Sequence, residues 1–137
     1  MAKDQDTMTI RILTPAGSWT DAEYATNDDV RYSARQQINA WRDDQRDGGF
    51  TALGHRWDSN ADSRDNLTAV VIAGQGSPTG FWTSADDVDV PVNSSDLLAI
   101  YGAMLMRGGE IHARQRLMKS ALAAMTRDEL MDFEPGW

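Results

Sequence analysis

The chain has no cysteine and only two histidines in 137 residues. Without thiols there is no disulfide framework and no thiolate zinc site. His55 and His112 lie far apart in sequence and form no H-x-x-x-H pair. A metal site within one chain therefore lacks its ligands. Long apolar runs are also missing. The longest, around residues 69–73 and 97–106, fall far short of the roughly 20 residues that span a bilayer. The opening segment, MAKDQDTMTIRIL, lacks the apolar core of a signal peptide. These absences lead to the expectation of a soluble, cytoplasmically made protein with no membrane partner. Positive charge is scarce as well: 13 Lys and Arg stand against 21 Asp and Glu, for a net charge of −8. An acidic chain repels phosphate backbones, so no nucleic-acid partner is expected. The cations that exist are partly segregated. Between residues 97 and 125, Arg107, Arg114, Arg116 and Lys119 are opposed by Glu110 alone. A basic helix on an acidic body points to acidic neighbours, in its own fold or in a next subunit.

What is present is an ordinary globular composition, 41% hydrophobic and 25% charged, in a chain of one-domain length. Residues 2–7 are polar and read as loose. Residues 9–13, TIRIL, alternate as a short strand with Ile10 and Ile12 on one face. A Thr-Pro-Ala-Gly turn follows. Residues 17–25 read as irregular, and their Trp19 and Tyr24 either fold back on the core or form an arm that docks onto another chain. Thr26 to Asp29 start a helix whose apolar stripe is Val30, Ala34, Ile38 and Trp41. Two short hairpins are expected, the first at 50–57 turning through Leu53-Gly54, the second at 81–92. Each precedes a Ser/Asp-rich cap and an apolar helix, from about 61 to 73 and from 97 to about 125. The last helix carries Leu97, Tyr101, Met104, Ile111, Met118, Leu122 and Met125 at three-four spacing. Gly108-Gly109 is a place where it could kink. The predicted class is α+β: small antiparallel hairpins packed with three main helices. An N-terminal strand and docking arm over 1–25 precedes a single domain over 26–137.

Candidate chemistry fails on inspection. Asp58, Asn60 and Asp62 open like a calcium loop, but Ser63 stands where glycine belongs and Ala69 where glutamate belongs. Gly74-Gln75-Gly76 follows an apolar run, yet a hairpin rather than a helix comes next. Asp28-Asp29, Asp43-Asp44 and Asp86-Asp87 lie at caps and turns, not across a cleft. No G-x-S-x-G elbow anchors a triad. No catalytic residue, cofactor or metal is expected, and the chain is read as a non-enzyme.

Gly49-Phe50, Leu53-Gly54, Trp57-Asp58-Ser59 and Ser63-Arg64-Asp65-Asn66 form an ordered series, continued by Trp82-Thr83, Ala85-Asp86, the strand from Val88 to Pro91, and Asp96-Leu97-Leu98. The INAWRDD run precedes them. In these pieces the chain resembles the family of phage tail-associated domains called domain of unknown function 4376, over roughly its last hundred residues. It departs at Gly108-Gly109, and the resemblance does not reach residues 1–24. The resemblance implies a bacteriophage virion protein of the tail or baseplate region, made in the host cytoplasm. Such a protein would act as an adaptor or fibre-attachment component by packing against tail or fibre proteins and against copies of itself. The alternatives are a tail-fibre assembly chaperone and, further off, a small polysaccharide hydrolase. The residues expected to meet partners are Ile10, Ile12, Trp19, Tyr24, Arg107, Arg114 and Trp137.

Overall fold

The computed structural model describes residues 2–3 and 10–137. The loose segment expected over residues 2–7 lies outside the described residues except at 2–3, and so does Thr9 of the first strand. The order is β1 (Ala2–Lys3), β2 (Ile10–Leu13), β3 (Trp19–Asp21), a 3-10 turn (Ala22–Tyr24) and α1 (Asn27–Asp47). There follow β4 (Phe50–Ala52), β5 (His55–Trp57), α2 (Ala61–Ala73), β6 (Phe81–Thr83) and β7 (Asp89–Pro91). Two helices, α3 (Ser94–Leu122) and α4 (Arg127–Asp132), complete the chain. The class is α+β, with small antiparallel sheets and three main helices.

Each helix begins where a short polar side chain can satisfy amide groups that have no partner inside the helix. Thr26 and Asp29 cap α1 reciprocally, each accepting from the other's backbone N–H at 3.0 Å. Asn60 accepts from the Ser63 amide at 3.0 Å ahead of α2. Asn93 and Asp96 exchange bonds of 2.8 and 2.9 Å at α3, and Thr126 and Glu129 form a capping box on α4. The acids that resembled a calcium loop thus flank a helix cap.

The contacts divide the chain into two compact units, one of Met1–Arg42 with Ala113–Trp137, the other of Asp43–His112. The sequence instead placed a boundary at residue 25. That boundary is not where the packing changes, because the strand it would set apart sends its apolar face into the first unit's core. There Ile12 is fully buried among Val30, Ala34, Ile38, Met118, Leu122 and Leu130, with Ile10 packed against them. The three-stranded sheet runs β1-β2-β3. Its β2–β3 register pairs Ile12 with Thr20 and Leu13 with Trp19. The segment read as irregular is therefore a strand and a 3-10 turn, built after the Gly17 turn where the Thr14 amide donates to Ser18 O at 2.9 Å. Arg127 ties α4 to this region, donating to Ala22 O, Ala25 O and Asn27 Oδ1 at 2.6, 2.8 and 2.9 Å.

The second unit packs Phe50, Trp57, Leu67, Leu97, Ile100 and Met104 into its own core. The β4–β5 hairpin turns through Leu53 and Gly54, both at positive φ (52° and 76°), the pairing a tight two-residue hairpin needs. Gly49 is required by space as well as by φ: a Cβ there would lie 2.9 Å from both Trp57 O and Arg56 Nη2. Ser59, buried, accepts from the Gly49 amide at 2.8 Å and donates to Arg46 O at 2.6 Å. Arg64 donates to Ser59 O at 2.6 Å and pairs with Asp47 at 2.8 Å. This network joins the end of α1 to the hairpin and to α2. Helix α3 is helical through Gly108-Gly109 over 29 residues, about 44 Å at 1.5 Å per residue.

Candidate functional site

The residues expected to meet partners have different fates. Ile12 has no exposed surface and Ile10 is half-buried against the same core. Both are corrected to core positions, because the sheet turns that face inward. Trp19 pairs with Leu13 on the other face of the sheet and is 47% exposed, while Tyr24 is 73% exposed. Trp137 is 57% exposed yet not a free arm: its ring meets Trp41 edge-on, with centroids 5.1 Å apart. Arg114 holds the same tail by donating to Gly136 O at 2.6 Å. Arg107 donates to Gln45 Oε1 at 3.0 Å and lies 3.8 Å from Glu110. The structure therefore spends Arg107 and Arg114 on bonds within their own units. Among the described residues, no group of three or more His, Asp or Glu side chains could hold a metal ion.

Lys119 is a different case. With the Gln115 amide oriented so that its oxygen faces the two cations, that oxygen accepts from Lys119 Nζ at 3.2 Å and from Arg42 Nη1 at 2.9 Å. Burial lowers the Lys119 pKa, and the positive charges of Arg42 and then Arg35 lower it further.

Two surfaces that the sequence did not single out lie in the second unit. The first is the outward side of α3. Leu97, Ile100 and Met104 point into the core, and at 100° per residue Leu98, Gly102, Leu105, Met106 and Gly109 fall on another side. Leu98 and Leu105 are 58% and 56% exposed and Met106 is 70% exposed. A Cβ placed on Gly102 or Gly109 would meet nothing within 4 Å. The signal was in the apolar run at 97–106, whose off-stripe members have no core to enter.

The second surface is a groove of about 720 Å3 between α2, the loop after it and the β6–β7 hairpin. Phe50, Trp57, Phe81 and Trp82 line it. Helix α2 lends one face, polar at Ser63 and Asn66 and apolar at Leu67, Val70 and Ala73. The loop is held over the hairpin: Ser77 Oγ and Thr79 Oγ1 donate to Phe81 O at 2.7 and 3.2 Å. Asp58 and Gln75 complete a polar rim. In the sequence Asp58 belongs to the run that fails as a calcium loop and Gln75 to the glycine pair that fails as a dinucleotide motif, and only the fold brings them to one opening.

No helix of the described residues is long and apolar enough to cross a membrane. No curated protein and no solved structure matches the chain. The family described as "Domain of unknown function (DUF4376)" matches residues 29–135, which takes in α1 from its third residue and every later element. By that match the chain belongs to the domain of unknown function 4376 family.

Proposed function

We propose that the protein is a structural adaptor of a bacteriophage tail, working by packing against a second copy of itself and, through the assembly so formed, holding a fibre or baseplate neighbour. The tail context is what the resemblance to the family implies. The packing mode rests on one observation: α3 presents apolar side chains on its outward side after its inward side is already filled. A helix that is apolar all round is ordinarily enclosed.

A second copy suits this surface better than an unrelated partner. Leu98 and Leu105 alternate with Gly102 and Gly109, each pair seven residues apart, so ridges and notches repeat with one period. Two copies related by a two-fold axis can seat each leucine over the other's glycine, as in heptad packing. The strip itself carries no charge, whereas its unit holds eleven acids and four arginines. Two like-charged copies approach most easily along such a strip.

The test is sedimentation analysis of the purified chain beside its Leu105→Glu variant. The wild type is expected to dimerise and the variant to run as a monomer with unchanged circular dichroism. A monomeric wild type across the accessible concentration range removes the proposal. Mass spectrometry of purified particles then tests the tail assignment, since a stoichiometric band is expected there.

A further inference from the structure

The groove of the second unit is independent of the packing strip, and its lining has a chemistry that packing does not use. Trp57 and Phe50 form its floor from the buried core, while Phe81 and Trp82 are half-buried beside them. Phe81 and Trp82 thus offer ring surface to the opening. Around the rings stand side chains that both donate and accept. Asn66 and Gln75 carry amides with two donors and an acceptor, Ser63 a hydroxyl, and Asp58 an acceptor-only carboxylate. Among the described residues, none of these four side chains makes a hydrogen bond to another part of the chain. The loop carrying Gln75 is itself fixed, through the bonds of Ser77 and Thr79 to the Phe81 carbonyl. The groove is thus shaped in advance, and its volume of about 720 Å3 lies within the roughly 300–1,000 Å3 of small-molecule sites.

A ligand for such a lining needs an apolar face to lie on aromatic rings and an edge of groups that donate and accept together. A pyranose ring has both: C–H groups on its faces and hydroxyls around its rim. Charge narrows the class. The unit holds eleven acids and four arginines, and Asp58 stands at the opening, so phosphates, sulfated sugars and uronic acids are repelled. We propose that this groove binds a neutral saccharide, stacked on Phe81 and Trp82 and hydrogen-bonded by Asp58, Asn66 and Gln75. The rim groups replace water at the sugar hydroxyls without leaving a partner unmatched, which is the condition for net gain from a polar contact. The floor supplies the apolar area.

The experiment uses the full chain, labelled with 15N, and follows its tryptophan indole signals. Of five tryptophans, Trp57 and Trp82 line the groove while Trp19, Trp41 and Trp137 belong to the first unit. Maltotriose, cellotriose, mannotriose and triacetylchitotriose are the neutral probes, digalacturonate the anionic one, and a Gly-Ser hexapeptide the peptide control. At least one neutral probe is expected to shift the Trp57 and Trp82 signals saturably, leaving the other three in place. Asn66→Ala and Asp58→Ala, both at exposed positions, are expected to weaken that binding by about three- to tenfold each. Leu105→Glu, on the packing strip, should leave it unchanged, so the two proposals stand or fall separately. The proposal is overturned if no neutral probe gives a saturable shift. A shift produced only by digalacturonate or by the peptide overturns it, as does affinity unaltered in both variants.

Discussion

At the scale of single residues, Ser59 carries more than its size suggests. It is buried and bonded on both sides, to the Gly49 amide and the Arg46 carbonyl. Ser59→Ala strands both groups, and urea denaturation is expected to show a loss of about 1–3 kcal/mol. Glu129 illustrates a pH effect. Its carboxylate accepts from the Thr126 backbone amide and then from the Thr126 hydroxyl, which together hold its pKa below the usual 4.5. A group with a depressed folded-state pKa stabilises the fold above its unfolded value and loses that contribution as pH falls through the folded one. Melting temperature measured from pH 6 down to pH 3 should therefore fall less steeply in Glu129→Gln than in wild type. Lys119 runs the other way: with its pKa depressed below 10.5 by burial, Arg42 and Arg35, the unfolded chain binds the extra proton. Stability then rises as pH climbs through the interval between the folded pKa and 10.5. Removing the charge in Lys119→Met should raise the melting temperature at neutral pH, and an unchanged or lower value contradicts this account.

At the scale of elements, the hairpins and helices follow closely from the residues. The cap of α2 and its stop at Gly74, the Leu53-Gly54 turn and the start of α1 are all local chemistry, and local chemistry is readable without the fold. Strand β3 was not readable, because three residues give no alternation to count and Thr20 gains its place only by pairing with Ile12. Gly108-Gly109 is a different case, since helix runs through both. Glycine weakens a helix by about 1 kcal/mol relative to alanine, yet the flanking turns of α3, buried at Met104, Ile111 and Met118, hold the helix across both. Two substitutions separate the roles of these glycines. A Cβ at either meets nothing within 4 Å, so Gly108→Ala should stabilise the chain by about 0.5–1 kcal/mol in thermal denaturation. Gly109→Leu, on the outward strip, should fill a notch and weaken self-association in the ultracentrifuge. Equal association by both variants would show that the notch has no role.

At the scale of the whole molecule, the candidate surfaces were legible only in part. The sequence supplied the aromatics and the apolar run. It could not show that Asn66 and Gln75, nine residues apart, come to one rim, or that Ile12 turns inward while Trp19 turns out. Those facts depend on pairings that no short window contains. The division into units depends on them too, and it has a temporal consequence. Unit two is continuous from Asp43 to His112, whereas unit one is assembled from residues on both sides of it. A chain emerging from its N-terminus exposes Ile12, Val30 and Ile38 well before Met118, Leu122 and Leu130 exist to cover them. Closing that core also means joining segments some seventy residues apart, an entropic barrier that slows non-local assembly. The middle of the chain is therefore expected to fold first and the ends last. Pulse-labelled hydrogen exchange during refolding should protect α2 and the β4–β5 hairpin ahead of the amides of residues 30–38. Simultaneous protection would mean that the ends find each other as fast as the middle does. Between those two moments the apolar stripe of α1 is bare, and that interval is when this protein is most exposed to aggregation and most in need of a chaperone.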